Sequence, residues 1–137
     1  FRSHQNGKQQ ALHYLRYVDF KCNSFIPIID IEYKRKSISE TKLRRELLDC
    51  LELIEEYIGV KPMLYTNLNF YKKYLKNHSQ FDTYPLWIAA YSDIRRNEVM
   101  DFADMYQYTD THPVNGIKYP VDANHIKKEK FLSLILR

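Results

Sequence analysis

The sequence predicts a parallel α/β domain, and three observations predict it. Helix-like and strand-like patterns alternate along the chain, every strand-like run ends on polar residues, and 137 residues suit one domain. No linker, repeat or low-complexity segment divides the chain. From Lys8 to Val18, Ala11, Leu12, Leu15 and Val18 recur at helical spacing without a proline. "FIPIIDIE" (25–32) follows as a strand, with Pro27 near its start where a missing N–H costs little. Ser37 and Glu40 have the spacing of a capping box, and Leu43, Leu47, Leu51, Ile54 and Ile58 then repeat every three or four residues up to Gly59. "KPMLYTN" (61–67) reads as a strand ending on Asn67, an N-cap for a helix that carries Phe70, Tyr71, Tyr74 and Leu75. "YPLWIAAY" (84–91), "FADMYQYTD" (102–110) and "YPVDANHI" (119–126) read as three more strands with little helix between them, the last two separated by the turn "HPVNG" (112–116). A closing helix is expected to hold Phe131, Leu132 and Ile135.

Composition narrows the function classes. Hydrophobic residues at 45% and charged residues at 28% supply a core and exclude a disordered chain. Twelve Tyr, seven Phe and one Trp offer flat apolar faces, many with a polar tip, which suit sugars as well as cores. The net charge of +4 favours an anionic partner, but the densest basic cluster, "YKRK" (33–36), is too short for a nucleic-acid arm and reads as a solvated loop. No run approaches the roughly 18 apolar residues of a membrane span, so no stable membrane insertion is expected. Cys22 and Cys50 match no zinc or redox spacing and are either buried thiols or one disulfide. His4, His13, His78, His112 and His125 form no triad or metal pattern and read as surface or local bonding groups; no cofactor and no metal is predicted.

In a parallel α/β fold the reactive groups gather at the carboxyl ends of the strands. Those ends carry Asp30 and Glu32, Tyr65 and Thr66, Tyr91, Gln107 and Tyr108, and Asp122 and Asn124. Asp30 and Glu32 are two positions apart, which in a strand sets their Cα atoms roughly 6.6 Å apart with both side chains on one face. Paired carboxylates at such a site suit glycoside hydrolysis, in which one acid protonates the leaving oxygen and another carboxylate acts on the opposite side of an oxocarbenium-like transition state. Like charges this close raise the proton affinity of the less solvated acid.

"IIDIEY", "KPMLYTN", "YPLWIAAY", "MYQYTD" and "GIKYPVDANHI" stand in the order and approximate spacing of glycoside hydrolase family 25, the Chalaropsis-type muramidases, and the chain resembles that family from "FRSH" to about Ile126. The motifs W-I-A-x-Y, Y-Q-Y-T and V-D-x-N carry the specificity; D-x-E alone carries little. Position 106 is Tyr where the family often has Trp. The resemblance implies a TIM-like flattened β/α barrel that cuts the β-1,4 bond between N-acetylmuramic acid and N-acetylglucosamine in peptidoglycan. It implies Glu32 as proton donor, Asp30 as orienting or charge-stabilising acid, and Asp122 completing the acidic cluster. Tyr65, Trp87, Tyr91, Gln107 and Asn124 are implied at substrate-binding positions. It also implies that residues 1–137 are one catalytic domain lacking the family's N-terminal strands, an incomplete barrel of roughly its C-terminal half to two-thirds, since "FRSHQNG" reads as the exit of a strand. The expected protein is a monomer, at the cell envelope or outside the cell, with peptidoglycan glycan strands as partner.

Duller readings stand beside these. Acids at a strand end also serve as solvated termini or helix caps, three carboxylates also hold divalent cations, and Trp87, Ala89 and Tyr91 on one strand face also read as core. Three functions follow: a muramidase, a wall-binding module without turnover, and a metal-dependent hydrolase.

Overall fold

The computed structural model describes residues 1–91 and 93–137, with side chains throughout except those of residues 93–96. Five strands form one sheet: β1 (Ile28–Asp30), β2 (Met63–Asn67), β3 (Leu86–Ala89), β4 (Met105–His112) and β5 (Val121–Ile126), in that order across the sheet. The first four are parallel and β5 runs antiparallel to β4. The parallel α/β order thus gives way at the last pair, because the turn around Gly116, with φ of 87°, returns the chain as a hairpin. The sheet does not close on itself and has β1 and β5 at its two edges, consistent with the incomplete β/α barrel that the family resemblance implied.

Strand alternation divides the apolar residues between two faces. One face carries Ile29, Leu64, Leu86, Ile88 and Tyr106, packed under the helices α2 (Glu40–Ile58) and α4 (Asp93–Phe102) through Leu43, Leu47, Leu51, Ile54, Val99 and Ala103. The other face begins apolar with Ile28, Met63, Trp87, Met105 and Ile126, and is closed below by Ile26, Leu134 and Leu136. The expected closing helix is one 3-10 turn, Phe131–Leu134, followed by extended chain that bridges Ile135 to Phe25. Apolar residues at 131, 132, 134, 135 and 136 are too densely spaced for one helical stripe, so Leu134 and Leu136 turn inward while Leu132 stays 66% exposed.

The helices follow their caps. α1 (Gly7–Tyr17) starts at Asn6, whose side chain accepts from Gln9 N–H, and buries Ala11, whereas Leu12, expected on its inner stripe, faces solvent. α2 starts at Ser39, whose hydroxyl accepts from Lys42 N–H at 3.1 Å, so the expected box at Ser37 is two residues early. Gly59 ends α2 at φ 81°, a left-handed cap suited to glycine. Asn67 caps a turn, α3 (Leu68–Phe70), that continues as a π-helical segment through Leu75. α4 was not legible in the apolar pattern. Its place follows from topology, because parallel β3 and β4 need a crossover of about a dozen residues. The "YKRK" loop is tied by Lys34 Nζ donating to Ile38 O, and Cys22 (exposed) and Cys50 (buried) are unpaired. Burial pushes the Cys50 thiol up to about 11.

α1 and α2 meet with no space between them at Gly7. A Cβ there would lie 1.8 Å from Glu46 O, and Gly7 N–H donates to Glu46 Oε2 at 2.9 Å. That backbone N–H, and then the Arg45 guanidinium, hold the Glu46 carboxyl below its ordinary 4.5. Gly7→Ala is expected to cost about 1–3 kcal/mol or more through forced separation of the helices, read as a lower urea midpoint. Because the folded state depresses the Glu46 pKa, its contribution is complete above about 4.5 and fades as pH falls through the folded value. Glu46→Gln should therefore flatten the stability profile below pH 5, and an unchanged acid slope would refute the assignment.

Candidate functional site

The register explains where the chemistry sits. On the second face, Asp30, Tyr65, Trp87 and Met105 form one cross-strand row, and Asn67, Ala89, Gln107 and Asn124 form the next row toward the strand ends. The row with Ile28 and Met63 below them is apolar. Polarity thus begins at the carboxyl ends of β1 to β3, whereas Gln107 stands near the start of the longer β4 and Asp122 near the amino end of antiparallel β5, not at the carboxyl ends that the sequence suggested.

Beyond β1, Ile31 N–H donates to Tyr65 O at 2.9 Å, and Thr66 Oγ1 donates to Ile31 O. Ile31 is fully buried on the helix side. Its neighbours Asp30 and Glu32 are both exposed, and the pleat sends both to the opposite face. Among the described residues no ion pair ties down Asp30, Glu32 or Asp122. Glu32 lines a cleft of about 220 Å³ with Asn67, Leu68, Asn69, Ala89, Ala90 and Tyr91. Asp30 opens instead on a hollow of about 760 Å³ between β1 and α1, beside Phe1, Arg2, Gln10 and Tyr14. The two acids share a face but line different hollows.

Tyr65 is the hub. Its hydroxyl donates to Gln107 Oε1 at 2.5 Å, and its ring meets Trp87 at 4.7 Å and 67°. Burial first, and then the negative charges of Glu32, Asp30 and Asp122 with the Tyr91 phenol, push the Tyr65 phenol far up. It stays a neutral donor. Tyr91, 54% exposed, also donates to Gln107 Oε1 at 3.4 Å, and burial followed by Asp110 and Asp122 raises its phenol too. Gln107 is 1% exposed, with its carbonyl oxygen committed to the two hydroxyls. Trp87 Nε1 donates to Asn124 Oδ1 at 2.9 Å, which sets the indole edge against β5.

The residues expected from sequence therefore come together around Tyr65: Asp30, Glu32 and Asp122 within its electrostatic reach, and Trp87, Tyr91 and Gln107 in contact with it. Asn124 joins through Trp87. Sequence reading gave Asn67 only a capping role, yet its amide lies on the same face and donates to Glu32 Oε2 at 3.5 Å. Its position two residues after Tyr65 in β2 was the available signal. Among the described residues no three His, Cys, Asp or Glu side chains are grouped to hold a metal ion. One sheet face thus carries carboxylates, neutral phenol donors and aromatic rings, with Glu32 and Tyr91 on one hollow and Asp30 on another, groups of a kind that bind polyhydroxylated ligands.

A family model described as Glycosyl hydrolases family 25 matches residues 1–117. The chain is 33% identical over 115 residues to YegX of Escherichia coli (strain K12), a match that covers 84% of this chain and 41% of that protein. It thus spans about two fifths of the length of the curated relatives it matches. Among solved structures, a bacterial lysozyme from Streptomyces coelicolor superposes with a TM-score of 0.78 at 18% identity, over 96% of this chain and 66% of that one. A family 25 glycosyl hydrolase from Bacillus anthracis gives 0.75 at 23% identity over 96% and 64%. The spore cortex lytic enzyme SleM of Clostridium perfringens gives 0.74 at 23% identity over 94% and 46%. At these identities the superpositions speak for the fold.

In alkaline difference spectra, subtracting Tyr65→Phe from the parent should reveal a phenol that ionises well above ordinary tyrosines. A Tyr65 signal at about pH 10, the unperturbed value, would contradict the buried, acid-ringed environment.

Proposed function

Because the chain belongs to glycosyl hydrolases family 25, we propose that it is the acid-bearing part of a peptidoglycan hydrolase, an N-acetylmuramidase of lysozyme type. Its target is the β-1,4 bond between N-acetylmuramic acid and N-acetylglucosamine. The observation that carries this reading is the placement of Asp30 and Glu32 on one face beside Tyr65, with Asp122 within the same field.

Glu32 acts as general acid. Its carboxyl proton passes to the glycosidic oxygen as the C1–O bond breaks, and Asp30 stabilises the positive charge developing on the sugar ring. Asp122 extends the negative potential from the β5 side. Tyr65, Trp87, Tyr91 and Asn124 bind sugar: ring faces stack, and phenol and amide groups bond to hydroxyl and acetamido groups. Gln107 serves binding by aligning the two phenols. No cofactor enters the scheme. The protein acts as a monomer on glycan strands at the envelope or outside the cell, and its net charge of +4 aids approach to an anionic wall in a salt-dependent manner.

A wall-binding module without turnover is the second reading, and the opening of Asp30 and Glu32 on different hollows is the observation that favours it. Glu32→Gln should lower release of reducing sugars from purified peptidoglycan by about 10²–10⁴-fold with an unchanged circular dichroism spectrum, the range for loss of a positioned general acid. Unchanged release removes Glu32 from the role. Sedimentation of the parent with peptidoglycan without any release supports the binding module, and loss of release to a chelator points to the metal-dependent alternative.

A further inference from the structure

Asn67 spends its two side-chain atoms on two different jobs. Its Oδ1 accepts from Phe70 N–H at 2.9 Å and caps the turn that leaves β2, while its Nδ2 donates to Glu32 Oε2 at 3.5 Å. The first bond fixes the second. An amide whose oxygen is committed to a backbone N–H must present its NH₂ group on the other side, so the orientation of the side chain follows from the cap. From these contacts we infer that Asn67 is a positioning residue for the proton donor. This inference rests on the muramidase reading for its consequence, though not for its geometry.

The consequence concerns which oxygen carries the acidic hydrogen. A proton on Glu32 Oε2 would face the N–H bonds of Asn67, donor against donor. With Oε2 held as acceptor, the acid form keeps its hydrogen on Oε1, and one of the two carboxyl oxygens is selected for delivery. Glu32 follows β1 without belonging to it, is exposed, and lacks any ion pair among the described residues. Asn67 is the last residue of β2, and its amide bridges from that strand to the carboxyl group of the exposed Glu32. The bond is long for an N–H···O contact, which is common for catalytic groups before a substrate closes the site.

Substitutions separate the cap from the acid. Serine is as good an N-cap as asparagine but too short to reach Glu32, so Asn67→Ser keeps the helix start and removes only the bridge. It should leave Tm and KM near the parent values and lower kcat on peptidoglycan about 10- to 100-fold, the scale of a misplaced reacting group. Asn67→Ala should lose the same rate and stability as well. If Asn67→Ser retains the parent kcat, or loses rate only in proportion to lost Tm, Asn67 is a cap alone and the inference is overturned. A second measurement needs no turnover. In the Glu32→Ala variant, one side-chain amide proton of Asn67 should move upfield by nuclear magnetic resonance while the Phe70 amide stays put; no movement overturns the contact. A parent chain that releases no sugar speaks against the muramidase reading, and the resonance measurement then decides the Asn67 contact independently.

Discussion

Alternation of side chains along a strand governs this protein. Buried Ile31 anchors the chain on the helix side of the sheet, and its burial throws Asp30 and Glu32 together onto the other. A shift of one residue in the pairing of β1 with β2 would put both acids into the apolar layer under α2 and expose Ile31 to water. The hydrophobic free energy of Ile29, Ile31 and Leu64 therefore fixes the site as firmly as it fixes the fold. The same rule, carried across the parallel strands β1 to β3, aligns Asp30, Tyr65 and Trp87 in a row, and across the antiparallel pair of β4 and β5 it brings Gln107 opposite Asn124.

Much of this was legible in the sequence, and each gap has a physical cause. The five strands stand where alternation and polar ends indicated, and the helix before Gly59 was marked by a strict apolar stripe. The residues around Tyr65 were recognisable because they fall within the family motifs, although Tyr65 is central in β2 and Gln107 lies near the start of β4. α4 escaped because its residues lack a strong apolar period, and only the connection rule for parallel strands demanded it. The antiparallel β5 escaped because a strand's sequence carries no direction. The division of Asp30 and Glu32 between two hollows could not be read either, since it depends on where α1 sits relative to the edge of β1. Asn67 was seen for its backbone duty, which hid its reach toward Glu32.

Electrostatics inside the cleft run against the charge of the whole molecule. The chain carries +4, yet the groups that surround Tyr65 are acidic. Burial and that local potential act in the same direction on the phenol, so the hub remains an uncharged donor whose direction is fixed by Gln107. Gln107 is in turn held in the sheet by its place on β4 opposite Ala89 and Asn124. Side-chain amides on β4 and β5 thus hold the aromatic wall, Gln107 through the two phenols and Asn124 through the indole of Trp87.

Tyr106 stands where the family often has tryptophan. Its ring is 1% exposed on the helix side, and its hydroxyl donates to the carbonyl of Ala90, one residue beyond the end of β3, at 2.6 Å. A carbonyl in that setting needs a hydrogen from somewhere. Tryptophan and tyrosine both bring a flat slab tipped with one, whereas phenylalanine brings the slab alone. Interchange at this position is thus governed by what the aromatic tip can give, and two side chains of unlike size become chemical synonyms.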